Sequence, residues 1–223
     1  MRIGIIHATP NAVQPLNEAF SQLAPDFTIF NFVDEYLQYY ANQINGIDET
    51  VYQEFVRLAV RAQQAQVDFI VVACTVLTPI VDVVKPFVNI PVIAVDRPML
   101  EAAVSGYEKI GIVATNAPSG PATREQLIQL AKELNKEINV FVEIDVEAMK
   151  QLKLGNINEH NTLNALAAQK LKEKGAECII LAQVTQASAE ETVKQFTNLK
   201  VLTSPKEAVK KILSNHKLGD ELK

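Results

Sequence analysis

The sequence predicts an α/β protein made of two pseudo-symmetric three-layer lobes with mainly parallel sheets. Three observations carry this expectation. Short runs rich in Val and Ile alternate with amphipathic stretches along the whole chain, as doubly buried strands alternate with the helices that cover them. The chain also repeats itself at about half its length. Its 223 residues are 48% hydrophobic, which is enough for two cores in units of roughly 100 residues each.

The apolar runs lie at 3–6, 27–32, 67–73, 92–95, 110–114, 140–144, 178–182 and 201–203. Each is short and bounded by polar or turn-forming residues, so each reads as a strand. Helical patterns lie between them, for example at 48–65, 121–136, 158–173 and 187–197. Pro15, Pro121 and Pro205 stand where a helix can begin, because proline needs no hydrogen-bonded N–H in a first turn.

The repeat is specific. At an offset of 109 residues, segment 67–96 aligns with 176–205 without a gap, and seven of the 30 positions are identical. At an offset of 107, Arg2-Ile3-Gly4-Ile5-Ile6 meets Lys109-Ile110-Gly111-Ile112-Val113. Two copies are too few for a solenoid, so the repeat implies two equivalent lobes. The expected boundaries are 1–97 with 206–223 for the first lobe and 98–205 for the second. Ligands of open α/β sheets bind beyond the carboxyl ends of strands, which would put an active site in a cleft between the lobes.

Composition narrows the function. A net charge of −5 with no long basic run argues against a nucleic-acid partner. No apolar run approaches the roughly 20 residues needed to span a membrane, and the N-terminus lacks a signal-peptide pattern. A cytoplasmic protein without a membrane partner is expected. The three histidines show no metal-ligand spacing, and the eight glycines form no nucleotide-binding motif. Neither a metal nor another cofactor is implied.

Two cysteines are too few for a disulfide framework. Cys178 lies inside the run Cys-Ile-Ile-Leu-Ala and reads as core. Cys74 follows the run Phe69–Ala73 and precedes Thr75. A helix starting near Leu77–Pro79 would lower its pKa through the helix dipole, with Thr75 and Thr78 offering hydroxyls. A buried structural cysteine is the competing reading. The first strand of each lobe ends at His7-Ala8-Thr9 and at Ala114-Thr115-Asn116, and the aligned later strand ends at Cys74-Thr75 and Gln183-Val184-Thr185. His160, in Asn-Glu-His-Asn, reads as a surface or capping residue.

The pattern Ile-Val-Val-Ala-Cys-Thr, its echo in the second lobe and the opening Arg-Ile-Gly-Ile-Ile-His resemble the aspartate/glutamate/hydantoin racemase superfamily. Ile-Gly-Ile-Val-Ala-Thr and Leu-Thr-Ser-Pro at 202–205 extend the resemblance over the whole chain. It implies a cofactor-independent homodimer acting on a small carboxylate substrate. Two thiols would flank the carbon next to that carboxylate, one removing a proton and the other returning one.

This chain departs from that pattern, because the second thiol falls on Gln183. The resemblance therefore implies an Asp/Glu racemase-like isomerase with Cys74 as acid/base and Gln183 opposite it. The expected substrate-binding groups are His7, Thr9, Asn11, Thr75, Thr115, Asn116, Val184 and Thr185. A one-thiol decarboxylase or cis-trans isomerase, similar to arylmalonate decarboxylase or maleate isomerase, is the alternative. A non-catalytic protein that binds small carboxylates is a third reading.

Overall fold

The computed structural model describes residues 1–44, 46–74 and 77–221; the side chains of Asn42, Pro79 and residues 216–221 are left aside. The chain divides into two compact units, Met1–Asp96 with Ile212–Lys223, and Arg97–Lys211.

The first unit runs β1 (Arg2–His7), α1 (Val13–Leu23), β2 (Thr28–Val33), α2 (Glu35–Gln43), α3 (Glu49–Gln64), β3 (Phe69–Val72), α4 (Val81–Val84) and β4 (Val92–Ala94). The second runs α5 (Arg97–Gly106), β5 (Lys109–Ala114), α6 (Ser119–Glu133), β6 (Asn139–Ile144), α7 (Val146–Lys153), α8 (Ile157–Glu173), β7 (Cys178–Leu181), α9 (Glu190–Thr197) and β8 (Lys200–Thr203). Helix α10 (Ser204–Glu221) follows. Pro15, Pro121 and Pro205 each lie within the first three residues of a helix.

The sheets have the same strand order, β2-β1-β3-β4 and β6-β5-β7-β8, and every pairing is parallel. Their details repeat as well. Ala73 N donates to Ile6 O at 2.8 Å, as Ala182 N donates to Val113 O at 3.0 Å. Asp34 caps α2 through the N–H groups of Tyr36 and Leu37, and Asp145 caps α7 through that of Ala148. Thr28 pairs with Arg2 and Asn139 with Lys109, so the offset across β2 and β6 is 111, and it makes Leu37 the counterpart of Ala148.

Glycine marks the same packing point in both units. A Cβ on Gly4 would lie 3.1 Å from Val67 Cγ2 and 3.3 Å from Ala62 Cβ. On Gly111 it would lie 3.1 Å from the Cβ atoms of Ala176 and Leu171, and 2.9 Å from Ile179 Cδ1. Val67 and Ala176 are counterparts at the 109-residue offset, and so are Ala62 and Leu171. The repeat therefore extends back through α3 and α8.

Strand alternation sends side chains to both faces. In the second unit Ile110, Ile112 and Ile180 pack with Met99 and Ala103 of α5 and Leu127 of α6. Val113, Ile179 and Leu181 pack with Ala165, Ala168 and Leu171 of α8 and Val193 of α9. In the first unit Ile6, Ile70 and Val72 pack with Leu37 of α2 and with Val51, Phe55 and Ala59 of α3. Among the described residues, no helix is long and apolar enough to cross a membrane.

Candidate active site

The strand ends gather most of the polar residues singled out from the sequence. Cys74 stands two residues beyond β3. It is 6% exposed and belongs to the apolar core of the first unit. Its carbonyl accepts the N–H groups of Leu77 and Thr78, both at 3.0 Å. A helical turn begins where the sequence placed one, but it is short. A single 3-10 turn, Thr78–Ile80, leads into the four-residue α4, and a second such turn, Lys85–Phe87, ends it. Pro86 cannot donate the hydrogen bond that a continuing helix needs.

Thr78 Oγ1 lies 3.2 Å from Cys74 O and 3.4 Å from Asp96 Oδ1. Asp96 follows β4, the neighbour of β3, and is buried. Nothing in the periodicity marked it, because one acidic residue after a strand is usually solvated. Thr75 lies outside the described residues.

His7 ends β1 fully buried. Its Nε2 lies 2.8 Å from Asn31 Oδ1, and Asn31 Nδ2 donates to Asn17 Oδ1 at 3.1 Å. The Nδ1 atom has no hydrogen-bond partner. Burial pushes the imidazole below its usual pKa, against the smaller upward pull of Asn31. Thr9 is extended before the turn Pro10–Ala12, and Asn11 is exposed within that turn. An open groove of about 610 Å³ runs along α1, lined by residues including Pro10, Gln14 and Asn17.

The second strand end is tied more tightly. Gln183 Oε1 accepts Thr115 N at 2.7 Å and Thr115 Oγ1 at 2.8 Å. Asn116 Oδ1 accepts Ser119 N at 2.9 Å, so its carbonyl serves the start of α6. Val184 and Thr185 are half-buried in the turn Val184–Ala189, and Thr185 Oγ1 lacks a partner.

His160, expected at the surface or at a cap, is fully buried instead. Asn164 and Gln186 are buried beside it. The repeat could have shown this, since their counterparts Val51, Phe55 and Leu77 are apolar and face the first core. Burial holds His160 below its usual pKa, against a raising hydrogen bond to Ala148 O. Cys178 is also fully buried, and burial followed by the nearby Glu177 pushes its thiol up to about 12. Such a thiol is inert. Among the described residues, no cluster of three or more His, Cys, Asp or Glu side chains could hold a metal ion.

The model of the Asp/Glu/hydantoin racemase family matches residues 3–212. The chain belongs to that family. Membership makes it an enzyme of the racemase class. A comparison with curated proteins gave no match. Solved structures are similar in fold. Glutamate racemase from Francisella tularensis subsp. tularensis, in complex with D-glutamate, aligns at a TM-score of 0.69 with 17% identity, covering 98% of this chain and 82% of that one. An aspartate racemase homologue from Pyrococcus horikoshii aligns at 0.74 with 18% identity over 96% and 97%. Allantoin racemase from Klebsiella pneumoniae aligns at 0.74 with 17% identity over 98% and 89%.

Proposed function

We propose that this racemase-family chain moves a proton at the carbon next to a carboxylate in a small amino acid or a related acid. No cofactor takes part. The Cys74 thiolate removes the proton and becomes a thiol, and the electron pair passes into the carboxylate to give an enediolate. Reprotonation of that carbon ends the turnover. The observation that carries the reading is the placement of Cys74 just beyond β3, in a chain the racemase model matches almost from end to end. The enediolate carries more charge on oxygen than the substrate does, so fixed donors aimed at it lower the barrier. Gln183 supplies such a donor.

The test is solvent-deuterium incorporation at the carbon next to the carboxylate, across a panel of aspartate, glutamate, hydantoins, hydroxy acids and malonates. Wild type should label at least one substrate. Cys74→Ala should slow labelling by at least about a hundredfold, the range lost with a general acid or base. No labelling of any panel member by wild type, or equal labelling by the variant, would refute the reading.

A second reading has its own support. The Gln183 carbonyl is occupied by both donors of Thr115, and an amide is far too weak an acid or base to exchange a proton with carbon at neutral pH. One-thiol chemistry, such as decarboxylation followed by protonation from Cys74, needs no second base. Loss of carbon dioxide from a malonate in the same panel would favour it. A cytoplasmic homodimer is the proposed setting, and sedimentation of the purified chain checks the dimer.

A further inference from the structure

Behind Gln183 runs a chain of hydrogen bonds whose direction can be fixed link by link. A backbone N–H can only donate, so the Gln183 atom facing Thr115 N is the carbonyl Oε1. Likewise Gln183 N donates to Gln186 Oε1 at 3.0 Å. The Gln186 amide is thereby oriented, and its Nε2 donates to Val113 O at 3.2 Å and to Asn164 Oδ1 at 2.5 Å. Asn164 Nδ2 then donates to His160 O at 2.8 Å and lies 3.3 Å from His160 Nε2. The ring ends the chain by donating from Nδ1 to Ala148 O at 2.7 Å.

The first unit does without any of this. At the 109-residue offset Gln186, Asn164 and His160 correspond to Leu77, Phe55 and Val51. All three are buried in the first core. Leu37 there corresponds to Ala148, so Leu and Val fill the space that Ala and His share in the second unit. The turn itself needs no polar side chain. Leu77 N donates to Cys74 O at 3.0 Å just as Gln186 N donates to Gln183 O at 3.0 Å. Buried polar groups cost stability unless every one is paired, and the same backbone closes with apolar residues. The polar chain therefore does something that the turn alone does not require.

We infer that Gln186, Asn164 and His160 are positioning residues that hold Gln183 with its Nε2 group as a fixed donor toward an anionic oxygen of the substrate. Both Thr115 donors occupy Oε1, so the two Nε2 hydrogens are the capacity Gln183 has left. The Gln186 carbonyl anchors the Gln183 main chain, and Asn164 and His160 keep Gln186 from turning. The identity of the bound oxygen rests on the function proposed above; the orientation of Gln183 does not.

The closing experiment separates the two. Side-chain amide ¹⁵N relaxation is recorded on ligand-free protein, with the Gln183 signals assigned by their loss in Gln183→Glu. Wild type should give an Nε2 order parameter near the rigid-backbone value of about 0.85. Gln186→Met, which removes both the acceptor for Gln183 N–H and the Nε2 donor to Asn164, should drop it below about 0.6. Asn164→Ser, one link farther away, should loosen Gln183 as well and serves if Gln186→Met does not fold. A mobile Gln183 amide in wild type would overturn the inference. So would variants that melt earlier yet leave that amide rigid.

In the deuterium assay, Gln183→Glu keeps an acceptor for Thr115 but presents oxygen where a donor stood. It should lower the labelling rate at saturating substrate at least tenfold, and an unchanged rate would overturn the donor role. If wild type labels nothing, the proposed reaction fails and the order parameters alone judge the positioning chain.

Discussion

The two units share one backbone plan and differ in what fills it. Behind Cys74 the first unit packs Leu77, Phe55 and Val51. Behind Gln183 the second packs Gln186, Asn164 and His160, bonded to one another and to the ends of β5 and α7. Strand order, caps and the glycine contacts stay the same. The fold evidently tolerates either filling, so the polar one reflects a demand at the strand end it supports.

The largest expected effect comes from breaking the polar filling at one point. Asn164→Leu leaves Gln186 Nε2 with Val113 O alone and takes the Asn164 neighbour from His160 Nε2 in the core, and should cost about 2–4 kcal/mol of stability in urea unfolding. Carrying the first unit's residues across together, as Ala148→Leu, His160→Val, Asn164→Phe and Gln186→Leu, should recover most of that loss, because an apolar replacement of a buried polar network is often neutral. Failure of the fourfold variant to recover would mean that the two fillings are not interchangeable.

The glycines give a smaller contrast. Gly111→Ala should cost about 1–3 kcal/mol, the usual range for overpacking, because its Cβ would press on Ile179, Ala176 and Leu171. Gly4→Ala meets looser neighbours and should cost less in the same urea assay. Equal losses would show that the second unit is no more tightly packed than the first at this point.

The smallest effect is on pH dependence, to which each unit contributes one buried imidazole. His7 and His160 are both held below the 6.5 of a solvated histidine. Below that value the unfolded chain binds protons that the folded chain refuses. Stability is therefore full above about pH 6.5 and is lost as pH falls toward the folded values, by at most about 1.4 kcal/mol per pH unit for each histidine. The fourfold variant lacks His160 and should show roughly half that slope between pH 6.5 and 5 in urea titrations. An unchanged slope would assign the dependence to His7 and the carboxylates.

Much of the fold was legible in the sequence because strands buried on both faces must be apolar throughout. All eight expected strands are present within one or two residues of their ends, and the repeat predicted matching sheets. Pro86 marks where the helix after Cys74 must end, but the apolar stretch before it carries no helical period from which to place α4. At the site, the pairing of Cys74 with Gln183 at equivalent strand ends followed from the offset. The inward turn of His160 did not, because polar residues at a helix start are ordinarily solvated. Placing it needed the helix phase, which its counterpart Val51 supplies. Asp96 carried no signal of either kind.

The second unit is one continuous stretch, Arg97–Lys211, whereas the first is split between Met1–Asp96 and Ile212–Lys223. A chain cut after Lys211 would therefore keep every residue of the second unit and lose part of the first, the unit that carries Cys74.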